Sequence, residues 1–135
     1  MLFRSSIRKH FQNKVLEEWL KIPCSNKLRK ISADLDTSFW SLIKKRRDQV
    51  IYCRLRIGHS LFTHGHLLKK SEPRVCSVCG CIITVEHILL SCPVFAPQRA
   101  SVGLSSSIDE IFCTNQTNIL RLLRYIDILD LYKLL

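Results

Sequence analysis

The 135-residue sequence has little of what marks disordered or repetitive chains, with only four glycines and four prolines. Together with 47% hydrophobic and 24% charged residues, this excludes a low-complexity chain and predicts a globular one. No apolar run approaches the ~20 residues of a membrane-spanning helix. The apolar segment of a secretory signal is also missing, so we expect a soluble intracellular protein of the cytoplasm or nucleus, without a membrane partner and with reduced cysteines.

Acidic residues are scarce in the first half of the chain. Residues 1–70 contain sixteen Lys or Arg against five Asp or Glu, whereas residues 71–135 contain five against six. The formal net charge of +10 is therefore concentrated in the first half. Such an excess is typical of chains that bind RNA or DNA, although a solvated basic face without a partner has the same composition.

Hydrophobic residues recur mostly at helical spacing, and the length suits one domain. We predict a mainly α fold in which a small knuckle around the cysteine-rich residues 76–92 is embedded in a helical domain. Its three segments are a basic helical segment, the knuckle, and C-terminal helices that pack on the same core: residues 1–70, 71–96 and 97–135. A tight hairpin is expected only around "VCSVCGCII".

The pattern of apolar residues and caps predicts where the main helices lie. The first is expected to reach about Leu20, ahead of Pro23, with Ile7, Phe11, Val15 and Trp19 on one side. A long second helix is expected from Thr37 or Ser38 to about Ile57, with an inward stripe of Phe39, Ile43, Val50, Cys53 and Ile57. "SLFTHGHLL" is expected to form a short helix or turn-helix, and the last helix is expected to begin near Thr117 or Asn118.

Four of the seven cysteines lie in the stretch "CSVCGCIITVEHILLSC", residues 76–92. The potential ligands have the spacing C-x2-C-x7-H-x4-C: Cys76, Cys79, His87 and Cys92. Zinc prefers four tetrahedral N or S ligands, and a two-residue gap lets a tight turn aim two sulfurs at one ion. Gly80 suits this turn, and Thr84 can cap a short helix that carries the other two ligands. The pattern predicts one structural Zn2+ without an open position for catalysis.

Other interpretations of this stretch stay open. Cys81 can compete with Cys79 as the second ligand, and the whole set can be ordinary buried thiols with a core histidine. A Cys–His hydrolase is a third interpretation, but it leaves several adjacent cysteines unexplained. His59, His64 and His66 have no cysteine or carboxylate at ligand spacing, which favours packing or hydrogen bonding over a second metal site.

The segment "KKRRDQVIYCRLRIGHS" is rich in cations beside its apolar stripe. Arginine offers a bidentate fork for phosphate, and Tyr52 offers a stacking surface for a base. We therefore predict phosphate contacts from six residues: Lys44, Lys45, Arg46, Arg47, Arg54 and Arg56. The alternative is that these long side chains simply lie along apolar surface.

"RRDQVIYCRLRIGHSLFTHGHLL", a short polar loop and then "CSVCGCIITVEHILLSCP" together resemble the C-terminal region of Jockey-like non-LTR retrotransposon polyproteins. In that family a helical segment with an R-L-R-x-G-H run leads into a CCHC zinc knuckle, downstream of the reverse transcriptase and ribonuclease H domains. The resemblance covers about residues 40–95. The first helix is similar, more loosely, to the segment that follows ribonuclease H.

The resemblance implies zinc on Cys76, Cys79, His87 and Cys92, and contact with nucleic acid during element RNA binding or target-primed reverse transcription. The parent polyprotein would be an RNA-directed DNA polymerase. This chain lacks an adjacent Asp-Asp pair and the acidic residues of ribonuclease H, so we expect it to be catalytically inert. Two alternatives remain: a zinc-scaffolded module that docks the rest of the polyprotein through its apolar "LYKLL" end, and a degenerate element copy.

Overall fold

The computed structural model describes residues 2–31 and 38–135, and it confirms the mainly α-helical fold. The helices are α1 Leu2–Lys21, α2 Lys27–Ile31, α3 Phe39–Leu42, α4 Arg46–Ile57, α5 Leu61–Lys69, α6 Ala96–Val102, α7 Ile108–Ile111 and α8 Gln116–Ile128. A π-helical turn over His87–Ser91 and a 3₁₀ turn over Pro93–Phe95 precede α6. Within the described ranges, no helix is both long enough and apolar enough to cross a membrane.

Helix α1 ends two residues before Pro23, as its sequence predicts. Its apolar side chains nevertheless stay at the surface, and Phe11 is 62% exposed. Trp19 is only half-buried, and the guanidinium of Arg29 lies 6.0 Å from the centre of its ring. The buried core cluster begins further along the chain, at Ile31. Helix α1 therefore contributes an exposed apolar surface rather than core.

The single long helix predicted to end at about Ile57 is wrong, because the chain breaks between α3 and α4. Thr37, one of its two predicted starts, lies outside the described residues. Ile43 has an extended backbone, φ −98° and ψ 102°, and Lys45 is extended as well. The side-chain amide of Gln49 donates 2.8 Å from Nε2 to the Ile43 carbonyl and so provides a partner that the interrupted helix would otherwise lack.

The break changes which side of α4 is buried. Ile51, Tyr52 and Leu55 face the core, whereas Ile57 is 52% exposed and was wrongly predicted to be inward. An extended connection resets the helical register, so the predicted stripe of Phe39 and Ile43 does not continue in register into α4. Gly58 then ends α4 with φ 80°, as predicted.

The C-terminal residues fold back onto the helical core. Leu131 and Leu135 are buried, and the Phe62 amide donates 3.0 Å to the Leu134 carbonyl. The core cluster draws on all three predicted segments, with Ile51, Leu89 and Leu122 among its most buried members. The "LYKLL" end is therefore used in the chain's own packing.

Candidate metal centre

The knuckle begins with a short antiparallel ribbon, as the predicted hairpin required. Val75 and Ile82 form an isolated bridge. Flanking it, the Cys76 amide donates 2.8 Å to the Cys81 carbonyl, and the Ile83 amide donates 2.9 Å to the Arg74 carbonyl. These backbone bonds hold Cys76 opposite Cys81 across the ribbon.

A tight turn between the two sides of the ribbon carries Cys79. The Gly80 amide donates 2.8 Å to the Cys76 carbonyl, and Gly80 has φ +66°. A Cβ atom added at Gly80 would meet nothing within 4 Å. The need for glycine is therefore conformational rather than steric, because side chains other than glycine rarely adopt this φ.

The other two candidate ligands flank the π-helical turn, with His87 as its first residue and Cys92 directly after it. Its first amide is capped as predicted, with His87 N–H donating 3.0 Å to Thr84 Oγ1. The Cys92 amide donates 2.9 Å to the His87 carbonyl, which is a bond between residues five apart. Residues five apart lie about 140° apart around an α-helix, whereas an i→i+5 bond places one roughly a turn above the other. The π turn therefore brings His87 and Cys92 to the same side.

The structure brings together all four predicted ligands. Their candidate ligand atoms lie within 4.8 Å of one another: Cys76, Cys79, His87 and Cys92. The Cys92 sulfur lies 3.7 Å from that of Cys76 and 4.0 Å from that of Cys79. Cys76, His87 and Cys92 are buried while Cys79 is exposed, so the cluster sits at the surface of the core. These residues are close enough to hold a metal ion.

The thiols of the cluster influence one another electrostatically. The backbone amide of Cys79 and then the His87 side chain lower the pKa of Cys76 from its ordinary 9.0 to about 6. Loss of water around the Cys79 sulfur, and then the sulfurs of Cys76 and Cys92, raise the pKa of Cys79 to about 12. A thiolate is thus favoured on Cys76 at neutral pH and opposed on Cys79. A bound cation would supply the missing positive charge, because metal binding releases thiol protons.

Cys81 lies beside the cluster and is excluded from the set of four. Its sulfur lies 3.5 Å from Nδ1 and 3.9 Å from Nε2 of His87. Cys81 was predicted to compete with Cys79 for one ligand position, but these contacts are with His87 and do not favour that competition. Cys81 is adjacent to the imidazole ligand instead.

Two side chains outside the predicted motif donate hydrogen bonds to the π turn, and neither was predicted from the sequence. Arg99 of α6 donates 3.1 Å to the Ile88 carbonyl and 2.7 Å to the Cys92 carbonyl. Tyr125 of α8, fully buried, donates 2.8 Å to the same Ile88 carbonyl. No local sequence signal identifies them, because both lie outside the motif, Tyr125 by more than thirty residues.

Most apolar residues between the candidate ligands pack the knuckle against the helical core, as their composition implies. Val85, Ile88 and Leu89 are buried, each at most 3% exposed. Ile82 is the exception and is 54% exposed, because it sits on the outer side of the ribbon. The ligand-bearing turn is thus continuous with the core.

The six predicted phosphate-binding residues divide into two groups. Arg47 donates to the Tyr132 carbonyl and Arg54 to the Leu135 carbonyl, so both are engaged with the C-terminal turn. The guanidinium of Arg56 lies 5.0 Å from the centre of the Phe39 ring. Arg47 and Arg54 are nevertheless exposed, as are the remaining three residues around the break between α3 and α4: Lys44, Lys45 and Arg46.

Tyr52 was predicted to offer a base-stacking surface, and this is wrong. It is fully buried, with its hydroxyl donating 3.0 Å to the Phe112 carbonyl. Its ring centre lies 5.0 Å from that of Phe39. Tyr52 is a core residue.

The histidines of α5 and the preceding loop pack against one another. The rings of His59 and His64 stack with centroids 3.9 Å apart, and His64 Nδ1 lies 2.8 Å from the Thr63 hydroxyl oxygen. Within the described ranges they do not join a group of three possible metal ligands. The arrangement agrees with the predicted packing and hydrogen-bonding roles.

Comparison with protein-family models, with curated proteins and with solved structures finds no match to this chain.

Proposed function

We propose that the chain is a zinc-binding module that engages nucleic acid, and that the metal has a structural role. The observation that carries the metal assignment is the convergence of three sulfurs and one imidazole within 4.8 Å. Two sulfurs each ~2.3 Å from a tetrahedral zinc lie ~3.8 Å apart, and the Cys92 sulfur lies 3.7 and 4.0 Å from its two neighbours. This donor set is one that zinc prefers.

Four protein ligands leave no position for a reactive water, so zinc would hold the knuckle in shape rather than catalyse a reaction. Its double charge would offset the repulsion among the thiolates. Because the ligands come from both the ribbon and the π turn, metal binding would contribute to the folding free energy of the knuckle.

The distribution of charge supports nucleic acid as the partner. The formal net charge is +10, and residues 1–70 carry most of the cations. Three adjacent cations lie exposed at the break between α3 and α4: Lys44, Lys45 and Arg46. Arg47, Arg54 and Arg56 are occupied in internal contacts, so we assign the principal phosphate contacts to the first three.

We also propose that the chain derives from the C-terminal region of a Jockey-like retrotransposon polyprotein. The support is the order of its motifs, with "RLRIGH" across the end of α4 followed by the CCHC set in the knuckle. In this proposal the chain itself performs no catalysis. It positions nucleic acid for the polymerase of the parent polyprotein.

The nucleic-acid assignment is tested by titrating a labelled single-stranded RNA with the protein at several salt concentrations. The variant Lys44→Glu/Lys45→Glu/Arg46→Glu is compared with Arg121→Glu/Arg124→Glu/Lys133→Glu, which makes the same change of charge at exposed positions in the second half. The plot of log K against log salt has a negative slope. If three phosphate contacts are lost, this slope should become less steep by about 2, in the first variant only.

Two results would contradict this assignment. One is wild-type binding that is absent or insensitive to salt. The other is an equal loss of affinity in both variants, which would mean that total charge rather than this cluster governs binding. Repeating the titration with duplex DNA distinguishes a preference for single strands from general attraction to polyanions.

A second candidate function, a protein-interaction module, is favoured by the surface of α1. Phe11, Val15 and Leu20 are each more than half exposed on a helix that lies outside the core cluster. Most of the stability of a helix in a protein comes from packing of its apolar face, so contact with an apolar partner surface would stabilise α1. The buried "LYKLL" end does not supply such a surface.

The neutral variant Phe11→Ser/Val15→Ser separates the two functions. It should leave salt-sensitive RNA binding unchanged if the cluster of Lys44, Lys45 and Arg46 acts alone. If the chain is an interaction module, wild type should show no salt-sensitive RNA binding. In that case the same variant should lose association with a defined partner.

A further inference from the structure

Cys81 is a fifth ligand-type residue that the four-residue set leaves unused. It is exposed, and its sulfur lies 3.5 Å from His87 Nδ1 and 3.9 Å from Nε2. The two ring nitrogens flank one carbon, so a sulfur nearly equidistant from both is aligned with neither N–H direction. Cys81 is therefore poorly placed as a hydrogen-bond partner that fixes the imidazole.

The same distances are those expected between two ligands of one metal ion. A sulfur and a nitrogen bound to a tetrahedral zinc lie ~3.5 Å apart, given bond lengths of ~2.3 and ~2.0 Å. The Cys81 sulfur thus lies about one such separation from the His87 ring, whose ligand position it would take in an exchange. It is not one of the four residues whose candidate ligand atoms all lie within 4.8 Å of one another.

The local backbone permits Cys81 to approach them. Its carbonyl is fixed by the Cys76 amide, but its side chain is exposed. Gly80, which separates it from Cys79, has open space where a side chain would be. A change of side-chain rotamer, together with a small adjustment at this glycine, would move the Cys81 sulfur.

We propose that Cys81 is a reserve thiolate that replaces His87 as the fourth ligand when the cluster binds a soft cation. This rests on the proposed metal-binding function. In the exchange, the metal–nitrogen bond to His87 breaks and a metal–sulfur bond to Cys81 forms. The thiol proton of Cys81 passes to solvent or to the released imidazole.

The chemical reason is the preference of soft cations for thiolate. Zinc accepts both imidazole and thiolate, whereas cadmium, a softer cation, gains more from a fourth sulfur. The cluster would therefore hold zinc with three thiolates and one imidazole, and cadmium with four thiolates. Such a site binds thiophilic metals without requiring a second set of ligands.

The direct test is the 113Cd NMR spectrum of the cadmium-loaded full chain, because the chemical shift rises with each thiolate ligand. Wild type should show a four-thiolate shift, and Cys81→Ser should move it to the three-thiolate range. Cys24→Ser, which alters an exposed cysteine far from the cluster in sequence, is the matched control and should leave the shift unchanged. Identical shifts in wild type and Cys81→Ser would overturn the proposal.

A second measurement removes the imidazole. His87→Ala should still bind one Co2+ per chain with a four-thiolate absorption spectrum. Losing a residue that only orients a ligand typically weakens metal binding ~10–100-fold. His87→Ala/Cys81→Ser loses a ligand itself, so its affinity for Co2+ should fall by more than this range. Equal affinity in the two variants, or a three-thiolate spectrum in the first, contradicts the reserve role.

The wild-type cobalt spectrum separates this inference from the function on which it rests. One Co2+ per chain with three thiolates supports the metal centre, whatever Cys81 does. Failure of wild type to bind any metal would overturn both. A wild-type cobalt spectrum with four thiolates would also contradict the proposal, because Cys81 would then be a permanent ligand.

Discussion

The Tyr125 hydroxyl donates a hydrogen bond of 2.8 Å to the Ile88 carbonyl, joining the last helix to the π turn between two of the four ligands. Arg99 donates to the same carbonyl and to that of Cys92. A π turn leaves carbonyls without their α-helical partners, and these two side chains satisfy them. The geometry of the metal centre is therefore coupled to the packing of α6 and α8.

Replacing Arg99 should weaken metal binding without removing a ligand. Arg99→Ala removes two hydrogen bonds from a charged donor to the π turn, one of them to the Cys92 carbonyl. We expect zinc affinity to fall by about 10-fold, the lower end for a residue that orients a ligand. Competition with a chromophoric chelator measures this.

The control is Arg124→Ala, which removes an exposed cation from α8. It should leave zinc affinity within about twofold of wild type, since exposed substitutions of this kind change free energies by about 0.5 kcal/mol or less. Equal losses in the two variants would mean that loss of positive charge, rather than the contacts of Arg99, lowers affinity.

Tyr125→Phe should cost about 0.5–1.5 kcal/mol of unfolding free energy at neutral pH, the usual value for one hydrogen bond. The cost stays moderate because Arg99 still donates to the Ile88 carbonyl, so no buried acceptor is left without a partner. Urea unfolding of the metal-loaded protein measures it. A loss of several kcal/mol would indicate that the phenol has a further partner.

Tyr125→Phe should also change how the unfolding free energy depends on pH in the alkaline range. Burial raises the pKa of Tyr125 from 10.0 to about 12. The unfolded chain therefore loses this proton first, and the contribution of Tyr125 to stability, complete below pH 10, is lost as pH rises through about 12. Between these values, the unfolding free energy of Tyr125→Phe should decline less steeply than that of wild type.

Gly80 provides a test of the ligand turn through backbone conformation alone. Since Gly80 has φ +66° and open space around it, Gly80→Ala should destabilise the metal-loaded protein by about 1–2 kcal/mol through strain. Gly80→Asn should cost less, because asparagine tolerates this conformation better. Thermal unfolding with zinc present measures both.

Gly65 in α5 is the matched control, with nothing within 4 Å of an added Cβ and a position inside a helix. Gly65→Ala should stabilise the protein by about 0.5–1 kcal/mol, the difference in conformational cost between the two residues within a helix. A destabilisation like that of Gly80→Ala would refute the conformational explanation.

The sequence predicted the ligand cluster well because its determinants are local. All four ligands fall within residues 76–92, and turn chemistry at Gly80 and capping at Thr84 are readable from the residues themselves. The π form of the second turn could not be read in this way. It depends on Arg99 and Tyr125, which reach the turn only in the folded chain.

The sequence was less informative about α4, whose register is reset by the extended backbone at Ile43 and Lys45. The periodicity from Phe39 to Ile57 is consistent with one helix, yet Ile43 is extended and its carbonyl accepts from Gln49. The contacts of long cationic side chains were equally hard to predict from the sequence. Arg47 and Arg54 have the composition of a phosphate-binding surface, and the folded C-terminal turn occupies them.

The central claim, that the cluster is a structural zinc site, is tested most directly by the metal content of the purified protein beside Cys92→Ser. Cys92 is fully buried and its sulfur lies within 4.0 Å of two other ligand sulfurs. Wild type and the Cys24→Ser control should each contain one zinc per chain. Cys92→Ser should contain none, with loss of ordered structure in the knuckle. A wild-type protein that is fully folded and free of metal would contradict the claim.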